Sequence, residues 1–217
     1  MEKIRLRFSK TGRAKYISHL DLMSTMRRAL LRAGVGLRYS EGFNPHPYMS
    51  VALPLPVGCS SFCELMDFSA LDTVPAAELP GLLNAVLPEG IEVSEAYVAE
   101  RKFSDIVWIG YLGFLHYEDR EMCDVRQLEE RIKTKPLMIQ KKTKRGVSEI
   151  DLAPLISDMS ISTGDVVTLS IKASAQNPSI NPDNILSALA GSDNFFTPDF
   201  HSFCRIEIFD GDLRKFV

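Results

Sequence analysis

Two successive stretches of the chain read in the same order, strand, helix, strand, strand, helix, strand, and few arrangements accommodate that order twice. In the first stretch, Lys3 to Ser9 alternates, with Ile4, Leu6 and Phe8 on one face and Lys3, Arg5 and Arg7 on the other. That is the period of a half-buried strand, and it predicts a cationic stripe opposite the core. Ser18 is an N-cap, with Asp21 three residues on to complete a capping box. The helix that starts at His19 carries Leu22, Met23, Met26, Ala29, Leu30 and Ala33 on one stripe and stops at Gly34. Residues 49–57 and 62–70 read as a hairpin, with Pro54 and Pro56 confining its first strand to an edge or breaking it. A helix within Pro75 to Leu87, starting near Pro80, and a strand over Ile91 to Glu100 complete the set.

The second stretch repeats the order. Val107 to Leu115 is a strand apolar on both sides, so both faces are expected to be covered. Asp124 to Lys133 is a helix with Val125, Leu128 and Ile132 inward, and Leu155 to Ser162 pairs with Asp165 to Ala173 around Thr163 and Gly164. Asn181 as N-cap, Pro182 at the first helical position and Gly191 as stop frame another helix before the strand His201 to Phe209. Residues 137–152 form an inserted hairpin with Lys141, Lys142, Lys144 and Arg145 near its tip, expected as further nucleic-acid contacts, against which stands a charge that merely keeps a protruding ribbon soluble and unpaired. The expected fold class is α+β, with two tandem ferredoxin-like (βαββαβ) halves packed together over residues 1–101 and 105–217 and a small extra hairpin in the second.

Charge is distributed unevenly. Residues 1–50 hold ten Lys/Arg against three Asp/Glu, and residues 51–100 hold none against eight, within a net charge of −3. Such a surface attracts a polyanion locally while the whole chain stays acidic. Lys10, Arg13, Lys15, Arg28, Arg32 and Arg38 are the expected phosphate contacts. Were all six engaged, affinity would fall about a thousandfold between 50 and 200 mM salt. For Arg5 and Arg7, pairing with Glu64 or Asp67 on the neighbouring strand competes with that role.

No apolar run is long enough to span a bilayer, and MEKIRLRFSK lacks the pattern of a secretory leader, so a cytoplasmic protein without membrane contact is expected. Four irregularly spaced cysteines suit a reducing compartment. His19, His46, His116 and His201 form no metal-binding spacing, and neither a Walker loop, a GxGxxG turn nor a GxSxG elbow occurs; no metal or cofactor is expected. The residues left for chemistry are His19 and His46, with Tyr16 or Lys15 assisting. An imidazole among cations can serve as general base or acid on an RNA 2′-hydroxyl without a metal. Against this stand a local hydrogen bond at the helix start for His19 and plain loop packing for His46.

The runs KTGRAKYISHLDLMSTMRRALLRAG (residues 10–34) and YSEGFNPHPYMSVALPLPVG (39–58) resemble the radical-SAM-linked protein family, a bacterial domain of unknown function encoded beside or fused to a radical SAM protein. YISHLDL and GFNPHP carry the resemblance, which implies a radical SAM partner rather than a reaction. Cys59 and Cys63 are not followed by a third cysteine two residues later, so the chain resembles the companion and not the enzyme. The duplicated plan is also similar to Cas6-type repeat-RNA endoribonucleases, but their glycine-rich loop is missing from HSFCRIEIFDGDLRKF. The expectation is an RNA-binding accessory protein working with a radical SAM partner in RNA modification, a binding module and not a catalyst. The alternatives are a metal-independent endoribonuclease using His19 or His46, and a protein-only adaptor of the radical SAM enzyme.

Overall fold

The computed structural model describes residues 3–118, 125–134, 136–143, 146–162, 164, 166–190 and 197–217, without the side chains of residues 125, 132, 141–143 and 146–148. The chain is α+β, with many strands and few helices, and divides into two compact units, one ending at Asp105 and one spanning Ile106–Phe216.

In the first unit, β1 (Ile4–Lys10) leads through a 3-10 turn, Gly12–Tyr16, to α1 (His19–Arg32). The Ser18 hydroxyl starts the helix: it accepts from the Asp21 backbone N–H at 3.1 Å and donates to Asp21 Oδ2 at 2.7 Å. The acid therefore holds the capping hydroxyl in place rather than reaching back to the backbone. β2 (Met49–Val51) and β3 (Ser60–Phe68) follow, then α2 (Leu79–Asn84), which begins one residue before Pro80, and β4 (Ile91–Val98). The strands lie in the order β4-β1-β3-β2, every pair antiparallel. β2 is only three residues long because Leu53 turns to φ 51° and Pro54 follows, which breaks the predicted strand. Leu22, Met26, Ala29 and Leu30 of α1 pack on Leu6, Phe8, Met66 and Phe68 of the sheet. Burying one such side chain contributes roughly 1.5–3 kcal/mol.

The opposite face of β1 departs from expectation. Arg5 and Arg7 are buried, so no cationic stripe is displayed. Arg5 donates from Nε and Nη2 to the two carboxylate oxygens of Asp67 and from Nη2 to the Arg101 carbonyl, with the Phe103 ring 4.5 Å from its guanidinium. A buried guanidinium needs this much compensation, and the acidic partner strand supplies it.

The second unit contains β5 (Trp108–His116), α3 (Val125–Lys133), the ribbon β6 (Met138–Thr143) and β7 (Gly146–Asp151), β8 (Ile156–Ser162), β9 (Val167–Ser174), α4 (Pro182–Ala190) and β10 (Phe200–Phe209). Its main strands lie in the order β10-β5-β9-β8, again all antiparallel, and among the described residues β6 pairs with β7 alone, as an inserted hairpin would. β5 is covered on both faces only in its first half. From Leu112 onward burial alternates, and Phe114 and His116 are exposed. Asp124, Thr163 and Gly191 lie outside the described residues.

Candidate nucleic-acid interface

Two ends of the first unit can be told apart from its hydrogen bonds. Gly58 N–H donates to the Lys15 carbonyl, which fixes the turn Gly12–Tyr16 beside the start of β3. Leu37 bridges Ala70 just past the end of β3, so the C-terminal end of α1 lies at the other edge. Nine strand residues separate the two, a span of about 30 Å.

The expected cations distribute accordingly. Lys10 is not a surface cation: it is 1% exposed, and its ammonium donates to the carbonyls of Ile17 at 3.0 Å and Lys15 at 3.4 Å. A charge this deep stays only with such acceptors, so its task is to anchor the turn. Arg13 is exposed and Lys15 half-buried at that end, the Lys15 ammonium 5.1 Å from the centroid of the exposed Tyr16 ring. Arg28 and Arg32 sit one turn apart on the exposed face of α1, and Arg38 lies beyond the end of the helix with its Nε bonded to the Ala70 carbonyl at 3.0 Å. Arg13, Lys15, Arg28, Arg32 and Arg38 make no salt bridge among the described residues. With Lys10 buried, the other five predicted contacts on this unit fall into two groups, Arg13 with Lys15 and Arg28 with Arg32 and Arg38. Lys141 and Lys142 belong to β6, whose side chains there are not described; Lys144 and Arg145 lie outside the described residues.

His19 and His46 also separate. His19 opens α1, and its Nδ1 is sheltered with no hydrogen-bond partner among the described residues, so the expected local bond is absent. His46 lies in the exposed loop at the far edge. Fourteen helical residues, about 21 Å of rise, stand between these ends, so the two imidazoles do not form a pair.

That far edge carries the most developed feature of the unit. Arg38–Ser40 and His46–Tyr48 run side by side, with Tyr48 N–H donating to the Arg38 carbonyl, Ser40 N–H to the His46 carbonyl, and His46 N–H to the Ser40 hydroxyl at 3.0 Å. Arg38 N–H donates to the Ser69 carbonyl and Ser69 N–H to the Tyr48 carbonyl, which ties this ribbon to the end of β3. Residues 41–46 are all exposed, with Phe43 fully exposed at the tip and Tyr39 and Tyr48 exposed along the ribbon. Gly42, at φ 116°, supplies a conformation that side-chain-bearing residues rarely adopt, and Pro45 and Pro47 stiffen the return. Two recesses flank the ribbon. One, of about 230 Å³, is lined by Arg38, Leu71, Asp72 and Val98; the other, of about 190 Å³, by Lys3, Tyr48 and Asp67. The aromatics were not among the residues predicted for the site, although GFNPHP was the motif that singled out the segment.

The family model described as "Uncharacterized protein conserved in bacteria (DUF2344)" matches residues 3–182. The chain belongs to that family. Both YISHLDL and GFNPHP fall inside the DUF2344 match, which takes in all of the described first unit and reaches the start of α4. No curated protein matches this DUF2344 chain. Among solved structures it is similar to "Crystal Structure of an Unknown Protein from Galdieria sulphuraria", at 10% identity over 94% of this chain and 98% of that one. Their TM-score of 0.26 is too low to carry a conclusion about fold or function. No described helix is long and apolar enough to cross a membrane, and no group of three or more His, Cys, Asp or Glu among the described residues is arranged to hold a metal ion.

Proposed function

We propose that the first unit binds RNA and that the protein is an accessory to a radical SAM partner in RNA modification. One observation carries the RNA half: Arg5, paired with Asp67, and Lys10, held by backbone carbonyls, are sealed inside, while Arg28, Arg32 and Arg38 remain exposed without an acidic partner among the described residues. A surface whose guanidinium groups are not paired with carboxylates suits a phosphate backbone. The partner half rests on the resemblance of YISHLDL and GFNPHP to the radical-SAM-linked family. The strand orders β4-β1-β3-β2 and β10-β5-β9-β8 support reading each unit as ferredoxin-like, the arrangement expected from the duplicated order.

A salt series tests the RNA half. Three phosphate contacts to a single strand give a log-log slope of about −2, so affinity for a fluorescein-labelled single-stranded RNA falls about twentyfold between 50 and 200 mM salt. No binding at 50 mM salt overturns the reading. Affinity purification of the tagged protein from a bacterial lysate, with identification of the retained proteins, tests the partner half. Recovery of no radical SAM protein counts against it.

A further inference from the structure

The RNA reading leaves the tip at Phe43 unexplained, because a phenyl ring contributes nothing to phosphate binding. Single exposed apolar residues are ordinary on protein surfaces. This one differs in its support. The ring is fully exposed, its loop is clasped at the base by Ser40 and His46, and the ribbon beneath carries two more exposed aromatics. On that ribbon Arg38 and Tyr48 are directly bonded through their backbones, and Arg38 commits its Nε to the Ala70 carbonyl. Aromatic rings interleaved with arginine are how proteins hold unpaired nucleotides, whose faces stack while their phosphates pair. A duplex hides those base faces and would leave Phe43 without a partner.

We infer that Phe43 is a stacking residue for an unpaired nucleobase, so that the RNA recognised is single-stranded or looped rather than duplex. The inference rests on the RNA reading and narrows its ligand class. Glu41, two residues before Phe43 on the same exposed loop, bears on the choice. Its carboxylate repels phosphate, so stacking and not charge supplies the affinity at the tip. Arg28, Arg32 and Arg38 hold the backbone, and Phe43 selects for bases out of the stack.

The test uses the full chain and two fluorescein-labelled probes, an unpaired oligoadenylate and a blunt RNA duplex of the same length, at 50 mM salt. Phe43→Ala removes a ring that touches nothing in the fold, so the variant stays folded. It is expected to lose about tenfold in affinity for the unpaired probe and to keep its duplex affinity. Phe43→Trp is expected to restore binding, with tryptophan emission quenched on addition of the oligoadenylate. If Phe43→Ala binds the unpaired probe as wild type does while Arg28→Gln with Arg32→Gln weakens it, stacking is overturned and the RNA reading stands. Loss of a co-purifying protein from Phe43→Ala at unchanged RNA affinity likewise overturns it and assigns the tip to a protein contact. If the wild-type chain binds neither probe, the RNA reading fails and the inference falls with it.

Discussion

Arg5 and Asp67 face each other across β1 and β3 as a two-pronged ion pair, Nε to Oδ1 at 2.7 Å and Nη2 to Oδ2 at 3.0 Å, with the arginine wholly buried. The pair converts what reads as a charged outer face into interior. Removing one partner leaves the other charge stranded, whereas replacing both with apolar residues removes the desolvation penalty as well. Asp67→Ala is therefore expected to destabilise the protein by about 3–5 kcal/mol in urea unfolding, and Arg5→Met combined with Asp67→Leu by far less. A double variant no more stable than Asp67→Ala would show that the pair is needed for more than compensating its own burial.

Lys10 and Arg28 are expected to respond in opposite ways. Lys10→Met strands the Ile17 carbonyl, leaves the Lys15 carbonyl with Gly58 N–H alone and loosens the turn, so unfolding shifts to lower urea while the salt dependence of RNA binding is unchanged. Arg28→Gln leaves stability within about 0.5 kcal/mol and reduces the salt slope by roughly one phosphate contact. A reduced slope in Lys10→Met would return that residue to the surface.

Gly90 stands at φ 87°, and a methyl group there would sit 2.5 Å from the Thr11 carbonyl, while Thr11 N–H donates to the Gly90 carbonyl. Gly90→Ala is expected to cost more than about 1–2 kcal/mol, the left-handed penalty alone. Gly81 in α2 has open space around it, and Gly81→Ala is expected to stabilise by about 0.5–1 kcal/mol. Thermal denaturation of the two variants side by side checks the contrast.

Burial raises the pKa of Tyr97 above its ordinary value near 10, against the opposing pull of Arg5 and Arg7 and with a smaller push from Glu95. The unfolded chain then ionises at lower pH than the folded one. The contribution to stability is complete below the unfolded value and is lost as pH rises through the folded value. Tyr97→Phe is expected to flatten the fall in urea midpoint above about pH 10. A wild-type midpoint that falls no faster than the variant's would rule this out.

Helix α1 was legible because its signals are local: Ser18 and Asp21 at one end, an apolar stripe, and Gly34 at the other. The fate of the β1 cations was not, because alternation gives a period without saying what lies over the polar face. The partner that settles Arg5 is 62 residues away. Lys10 could have been read correctly, since alternation carried past Ser9 puts it on the face of Ile4, Leu6 and Phe8. Its acceptors come from a turn with no periodic pattern. The aromatics of the ribbon were hidden differently: Gly42, Pro45 and Pro47 announce a loop, but exposure of Phe43 depends on the clasp beneath it, which joins residues six apart to the end of another strand.

The Ser40 and His46 clasp also has a kinetic meaning. A tip ordered before any ligand arrives has little conformational entropy left to lose, so capture requires no folding step and differences between ligands are expressed in how long each stays bound. Loosening the clasp with Ser40→Gly, which removes its hydroxyl bond and keeps its backbone bond, would turn the same loop into a slower and less discriminating receptor. On the stacking reading, the prolines and the paired segments 38–40 and 46–48 would set a residence time as much as a shape.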